Sequence, residues 1–294
     1  MNPKEIEYYS KAGQIAKQVK EYAKSIIKKG TSLLEIAEKI ESKIVELNGE
    51  IAFPVNLSID DVAAHYTPSY DDKTTASGLL KVDIGVHVNG YISDTAFSVD
   101  LENNDENKKL ILAAEQALEQ AIKTIKKDIE IWKIGEVIQK TIIDEGFSPV
   151  INLSGHGLSE YNVHSGITIP NCNNNNSKVL ETGAYAVEPF ATTGQGMVYD
   201  GKPSGIYQFI EKKAIRDNLS RKIIEHVEKN YRTLPFCSRW IIKEFGTRAL
   251  LSLNLLEKAG IVKQFSQLVE KSHKKVSQAE LSVIITEKKV EVLD

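Results

Sequence analysis

Five side chains of the types that bind divalent metal ions lie in or beside strand-like stretches of this sequence. They are Asp83, Asp94, His156, Glu188 and Glu280. Carboxylates that lie close together repel one another unless a cation or a shared proton lies between them. Two Asp, two Glu and one His suit a site for two divalent ions, which lower the pKa of a bridging water and so supply a hydroxide at neutral pH. The pattern therefore predicts metal-assisted hydrolysis, provided that the fold brings the five residues together.

The two aspartates lie in a stretch that is typical of a β-hairpin. Asn89-Gly90 favours a two-residue type I′ turn, and it separates two runs rich in Val, Ile, Thr and Phe. We predict the strands Leu79–Val88 and Tyr91–Val99. Because side chains alternate along a strand, this register puts Asp83 and Asp94 on one face as diagonal neighbours, with Cα atoms roughly 7–8 Å apart. The other face is apolar and predicts a core, whereas the hairpin alone leaves open that the polar face is simply in water.

The other three candidate ligands also lie in or beside strand-like sequence. His156 stands between two glycines in LSGHG, Glu188 ends the apolar run in AYAVEPF, and Glu280 precedes the hydrophobic run in QAELSVII. Taken singly, each is better explained as a solvated loop or rim residue. It is the combination with the two aspartates that favours a metal site.

Helical and strand-like segments alternate in the rest of the chain. Helices are predicted at residues 12–27, from Leu33 to about Leu47, from Asn107 to about Lys126 and from Ile134 to about Glu145. Strands are predicted at Ile51–Pro54, Val150–Leu153, Gly166–Ile169, Ala184–Phe190, Leu281–Thr286 and Val290–Val292. Residues 200–260 are predicted to be mainly helical. Two helices followed by antiparallel strands, twice over, indicate an α+β fold.

Composition limits the class of protein. The chain has 294 residues, 41% hydrophobic and 26% charged, which is typical of a soluble globular protein. The net charge of −3 and the pI of about 6.1 argue against a nucleic-acid-binding surface. No segment approaches the roughly 18 apolar residues of a membrane span. The only cysteines, Cys172 and Cys237, offer no disulfide framework, which fits a reducing cytoplasm.

Five motifs in order along the chain carry a resemblance to a known family. They are AFPVNLSIDDVAAHYTP, KVDIGVHVNGYISDTAF, GHGLSEYNVHSG, AVEPFATTGQG and SQAELSVIITEKKVEV. In these motifs the chain resembles the type 2 methionine aminopeptidases of metallopeptidase family M24, in their short archaeal form. The resemblance implies a pita-bread fold, with a pseudo-two-fold antiparallel sheet flanked by helices. It implies a catalytic domain of residues 1–199 and 261–294, and a helical insertion subdomain of residues 200–260.

The resemblance also implies a role for each site residue. Asp83 would chelate one metal, Asp94 and Glu280 would bridge both, and His156 and Glu188 would complete the set. Glu188 would also transfer protons, His164 would contact the scissile carbonyl, and His65 would position the substrate. The pocket for the methionine side chain would include Phe53, Val163, Phe190 and Phe265. The acid Glu287 does not fall on a family position, and Leu281-Ser282 replaces the His-Thr that usually follows the last ligand.

The implied activity is removal of the N-terminal methionine from nascent polypeptides. It would use two divalent ions among Co, Mn, Fe and Zn, which share these donor atoms. The implied protein is a cytoplasmic monomer with no membrane or nucleic-acid partner, and contact with the ribosome stays open, as does the residue preferred after methionine. One alternative is a prolidase or aminopeptidase P, whose members normally carry a large N-terminal domain. The other is a non-catalytic pita-bread module that binds ribosomes or RNA, whose members lose metal ligands.

Overall fold

The computed structural model describes residues 1–293, which form seven α-helices and fifteen β-strands. The helices are α1 Pro3–Ile26, α2 Leu33–Glu46, α3 Asp105–Thr124, α4 Ile131–Asp144, α5 Asn218–Asn230, α6 Ser238–Phe245 and α7 Ala249–Lys258. The strands are β1 Glu50–Ile59, β2 Val62–Ala64, β3 Leu79–Val88, β4 Tyr91–Asp100, β5 Ser148–Pro149, β6 Ser154–Ser159, β7 Asn162–Pro170, β8 Gly183–Val187, β9 Phe190–Thr192, β10 Val198–Phe209, β11 Phe236–Cys237, β12 Val262–Glu270, β13 Val276–Gln278, β14 Leu281–Ile285 and β15 Val290–Val292.

In the first half, helices α1 and α2 cover one face of the three-stranded sheet β1-β3-β4. Side-chain caps start both helices: Asn2 forms a capping box with Glu5, and the Ser32 hydroxyl accepts the Glu35 N–H at 3.4 Å. The apolar faces of both helices pack on the inward side chains of β1 and β3, whose largest members are fully buried. The outer face of this sheet is left for other contacts.

The β3–β4 hairpin has the predicted register. Gly85 pairs with Asp94 and Asp83 pairs with Ala96, around the turn at Asn89-Gly90. Asp83 and Asp94 therefore share the face that the helices leave uncovered. The prediction from turn type and alternation is confirmed.

The second half repeats the arrangement. Helices α3 and α4 pack on one face of the five-stranded sheet β15-β14-β8-β6-β7. The two halves meet where β4 lies beside the segment that precedes β14. Ala96 and Glu280 form an antiparallel bridge there, with the Glu280 N–H donating to the Ala96 carbonyl at 3.0 Å. We call this junction the seam. It joins the two sheets beside the faces that the helices leave uncovered.

A third sheet, β11-β10-β12-β2, carries helices α5, α6 and α7. Arg239 at the start of α6 makes a bidentate ion pair with Glu41 of α2, with both N···O distances 2.8 Å and both side chains buried. The Trp240 indole N–H donates to the same carboxylate. This buried pair fixes the helical segment against the first half of the molecule.

Three predicted segments differ from the structure. Val150–Leu153 forms a turn, and the strand begins at Ser154. The predicted strand at Ala184–Phe190 is interrupted between β8 and β9. The first part of residues 200–260 is the strand β10, so its helices begin only at Asn218. Strand β10 was missed because irregular pairing near Pro203 breaks its alternation.

None of the helices within residues 1–293 combines the length and the apolar composition that a bilayer crossing requires.

Candidate metal centre and substrate pocket

The five candidate ligands lie together in one cavity of ≈ 250 Å³, which also reaches His65 and His164. The ligand atoms of Asp94, His156 and Glu280 lie within 4.8 Å of one another. Each comes from a different stretch of chain, namely strand β4, strand β6 and the residue before β14. The fold thus brings together the set that the sequence left scattered.

The ring of His156 presents a lone pair to the carboxylates. Its Nδ1 lies 3.3 Å from the Gly157 carbonyl, which only an N–H can satisfy, so Nε2 carries no proton. Nε2 lies 3.7 Å from Asp94 Oδ2 and 3.6 Å from Glu188 Oε1. Desolvation, together with the neighbouring His164, lowers the pKa of His156 to about 3. The lone pair of a neutral imidazole nitrogen and two carboxylates all repel one another. This arrangement is stable only if a cation or a proton lies between the nitrogen and the carboxylate oxygens.

The buried carboxylates also require a cation or a proton beside them. Asp83 Oδ1 is buried without a hydrogen-bond partner within residues 1–293. Burial raises the pKa of Asp83 to about 7, and it raises the pKa of Glu188 well above its usual range, with the charge of Asp83 adding to that rise. Carboxylates desolvated in this way take up protons or bind a metal ion. The donor set therefore fits divalent cations.

Proline determines how Glu188 is presented. Strand β8 ends at Val187, and Pro189 lacks the N–H that would continue the ladder. Glu188 therefore lies in the break between β8 and β9, where its side chain turns into the cavity. The sequence predicted one continuous strand at Ala184–Phe190. The interruption of that strand is what directs the Glu188 carboxylate into the cavity.

His65 and His164 both line the cavity without joining the metal-ligand cluster. His164 stacks edge-on against His156, with ring centroids 4.5 Å apart, and part of its ring is exposed. Desolvation lowers the pKa of His65 and of His164, so both imidazoles are neutral at pH 7. A neutral imidazole with one N–H can donate a hydrogen bond to a substrate oxygen.

Apolar side chains line much of the rest of the cavity. They include the four predicted pocket residues Phe53, Val163, Phe190 and Phe265. The Phe53 ring lies over Gly85, where an added Cβ would be 2.2 Å from the ring, so only glycine leaves room for it. Phe265 packs edge-on against His65, and the His65 Nδ1 lies 3.1 Å from the Ser266 carbonyl. The aromatic wall and the polar cluster therefore belong to one pocket.

The glycines beside His156 allow neighbouring strands to pack closely. A Cβ on Gly157 would lie 2.0 Å from the Ser165 carbonyl oxygen, so this glycine permits close packing of strand β7 and not of a ligand. His87 on strand β3 is buried. Its Nδ1 accepts the Gly90 N–H at 3.1 Å, which braces the hairpin turn.

Sequence reasoning missed three polar residues at the site. The Gln278 side-chain amide donates to Glu280 Oε2 at 3.3 Å, and the Ser282 hydroxyl both accepts the Asp94 N–H and donates to the Asp94 carbonyl. Asn56 pairs with Asp83 across β1 and β3 and lines the cavity. Alternation was the available signal, since Gln278 and Ser282 each lie two positions from Glu280.

The fold and the site define a pita-bread metallopeptidase, and residues 7–225 match metallopeptidase family M24. The methionine aminopeptidase of Methanocaldococcus jannaschii is 44% identical over 294 residues, covering 98% of this chain and 99% of its own. The chain therefore belongs to the methionine aminopeptidases of family M24. A thermophilic Arx1 structure, 17% identical, has a TM-score of 0.85 and covers 100% of this chain and 91% of its own. The Thermotoga maritima methionine aminopeptidase structure, 21% identical, has a TM-score of 0.71 with coverage of 100% and 97%.

Proposed function

We propose that this chain removes the N-terminal methionine from polypeptides by hydrolysing the first peptide bond. The observation that carries the proposal is the convergence of Asp94, His156 and Glu280, with ligand atoms within 4.8 Å, at one end of an aromatic-walled cavity. A cluster of metal-binding groups beside an apolar pocket suits hydrolysis next to an apolar side chain. Membership of the methionine aminopeptidases agrees with this chemistry.

The proposed ligand set is the one that the resemblance implies, with Asp83 on one ion, Asp94 and Glu280 shared by both, and His156 and Glu188 completing it. Two divalent ions bound there would polarise the scissile carbonyl and lower the pKa of a water nucleophile. The oxygen and imidazole donors suit Mn, Fe, Co and Zn alike. The unpartnered Asp83 Oδ1 and the unprotonated His156 Nε2 support this assignment.

The protein's own groups handle the proton and the developing charge. Glu188, whose pKa is raised by burial, can take the proton of the attacking water and return it to the leaving amine. His164 lies at the exposed side of the cluster, where its N–H can donate to the carbonyl oxygen as negative charge builds on it. His65, whose Nδ1 lies 3.1 Å from the Ser266 carbonyl, lines the same cavity and would position the substrate.

The proposed specificity pocket is the aromatic wall. Phe53, Phe190 and Phe265 offer ring faces and edges to a flexible thioether, with Val163 beside them. Sulfur gains from contact with aromatic rings, typically ~0.3–1.5 kcal/mol for each contact. We propose that this wall selects methionine over shorter and β-branched side chains.

We further propose that the chain acts in the cytoplasm, as a monomer, on nascent polypeptides, with residues 200–260 as an insertion subdomain that can contact the ribosome. The two cysteines are both free thiols, as in proteins of a reducing compartment. Size-exclusion chromatography with light scattering tests the monomer, and co-sedimentation with ribosomes tests the contact.

The activity is tested with a Met-Ala-Ser peptide after chelation and then re-addition of Mn, Co, Fe or Zn, with an Xaa-Pro peptide alongside. We expect metal-dependent release of methionine from the first peptide only. Cleavage of the Xaa-Pro peptide instead would indicate a prolidase-like activity. Silence on both peptides with every metal would favour a non-catalytic binding module.

A further inference from the structure

One residue that lines the substrate cavity carries a buried hydrogen-bond acceptor without a partner among residues 1–293. Asn56 lies on β1, 4% exposed, and lines the cavity together with the metal-binding cluster. Its Oδ1 is buried and receives no hydrogen bond from any group within residues 1–293. A buried amide oxygen left in this state costs about 1–3 kcal/mol, so it is normally satisfied by a water or a ligand.

The hydrogen bond of the Asn56 Nδ2 group fixes the orientation of the side-chain amide. The Nδ2 group donates to the Pro54 carbonyl at 2.7 Å. A carbonyl oxygen can only accept, so the nitrogen must lie on that side and the oxygen must point away from it. The unpartnered atom of Asn56 is therefore an acceptor, and its ligand must be a donor.

Sheet register places this acceptor beside the metal-binding cluster. Asn56 is the cross-strand partner of Asp83, and Phe53 on the same strand pairs with Gly85. Asn56 thus lies between the aromatic wall and the first carboxylate. A substrate with its side chain against Phe53 would bring the groups on its Cα to this position.

An N-terminal methionine has few donors to offer. Its thioether sulfur has no hydrogen, and its carbonyl oxygen only accepts. The N–H of the following residue lies beyond the scissile carbonyl, on the side of the leaving group. That leaves the α-amino group, which is bonded to the same carbon as the side chain in the pocket.

We propose that Asn56 Oδ1 accepts a hydrogen bond from the α-amino group of the substrate and helps the enzyme select free N-termini. This inference rests on the proposed function, since it assumes that an N-terminal methionine occupies the cavity. In this role Asn56 contacts the amine directly and is not one of the proposed metal ligands.

Two product-like inhibitors that differ only in the amine test the contact on the metal-loaded enzyme. They are L-methionine and 4-(methylthio)butanoate, each competing with cleavage of Met-Ala-Ser. Asn56→Leu keeps a similar volume and removes the acceptor. We expect it to weaken inhibition by methionine ~10- to 100-fold, as for a hydrogen bond to a charged group, and to change inhibition by the desamino compound less than about twofold.

Phe53→Leu is the matched control, because it alters the neighbouring wall without removing an acceptor. It should weaken both inhibitors by the same factor. Asn56→Ala serves in the same assay if the leucine variant does not fold, with the thermal unfolding midpoint and the metal content confirming an intact site. Equal changes for both inhibitors, or no change for either, would overturn the role of Asn56. A wild-type enzyme that releases no methionine would instead overturn the proposed function.

Discussion

The two halves of the molecule are built alike but supply the candidate site differently. In each half a pair of helices covers one face of an antiparallel sheet and leaves the other face toward the cavity. The first half contributes Asp83 and Asp94 from the two strands of one hairpin. The second half contributes His156, Glu188 and Glu280 from three segments that are far apart in the sequence. Local geometry fixes the first pair, whereas the second set depends on long-range strand order.

The seam between the halves must therefore hold the two sets in register. The contacts that cross it include the Ala96–Glu280 bridge, the double hydrogen bond of Ser282 to the Asp94 backbone, and the Ser98 hydroxyl bond to the Gln278 carbonyl at 2.8 Å. Both proposed bridging ligands, Asp94 and Glu280, lie on this seam. The comparison predicts that site function is most sensitive to changes there.

The largest effect is expected from loss of a ligand on the seam. Asp94→Ala removes a shared carboxylate, and we expect kcat/KM for Met-Ala-Ser to fall by about a thousandfold or more, since metal chemistry supplies several kcal/mol. Metal content measured by mass spectrometry should fall with it. Near-normal turnover in a folded Asp94→Ala protein would rule out a shared ligand at this position.

The next largest effect is expected from a substitution of His164, which belongs to the second half of the molecule. His164→Ala removes the proposed donor to the carbonyl oxygen, and we expect kcat to fall about 10²- to 10³-fold with metal content unchanged. His273→Ala is the matched control, because that imidazole is exposed and pairs with Asp61 outside the cavity. If the two variants had equal rates, His164 would have no part in the reaction.

A substitution at the seam that leaves every proposed ligand in place tests whether the seam orients Asp94. Ser282→Ala removes both hydrogen bonds to the Asp94 backbone without touching a proposed ligand. We expect metal affinity to fall ~10- to 100-fold, as is usual when a group that orients a ligand is lost. Ser282→Thr keeps the hydroxyl and should restore affinity toward the wild-type value. An unchanged dissociation constant for Ser282→Ala would show that the seam does not orient Asp94.

The smallest effect is a dependence on pH. Burial raises the pKa of Asp83 to about 7, so this carboxyl must release a proton to bind a cation below that pH. The pKa of the other buried ligand Glu188 is also raised well above its usual range, so metal affinity should fall as the pH drops below 7, about tenfold per pH unit for each proton that must be released. His156 adds nothing to this slope near neutrality, because its pKa is lowered to about 3. Calorimetric titration with Mn²⁺ in buffers of different ionisation enthalpy measures the released proton, and a flat profile would contradict the raised pKa.

The same contrast explains what the sequence could predict. Turn type and alternation placed Asp83 and Asp94 on one face, because a two-residue hairpin fixes its register locally. No local rule relates His156 to Glu280, so their approach came only from the resemblance. Pro189 is visible in the sequence. A proline that interrupts a strand and a proline that follows the end of a strand give the same local pattern, so the sequence does not distinguish them. Asn56 escaped notice because bulges in β1 break the alternation that would have marked its face.

The most direct test counts metal ions in two glutamate variants near the C-terminus. Glu280 lies on the seam among the proposed ligands, whereas Glu287 is exposed and pairs with Lys127. Equilibrium dialysis with Mn²⁺ should give two ions per chain for the wild type and for Glu287→Ala, and fewer for Glu280→Ala. Two ions retained by Glu280→Ala, or none bound by the wild type, would contradict a two-metal site built from both halves of the molecule.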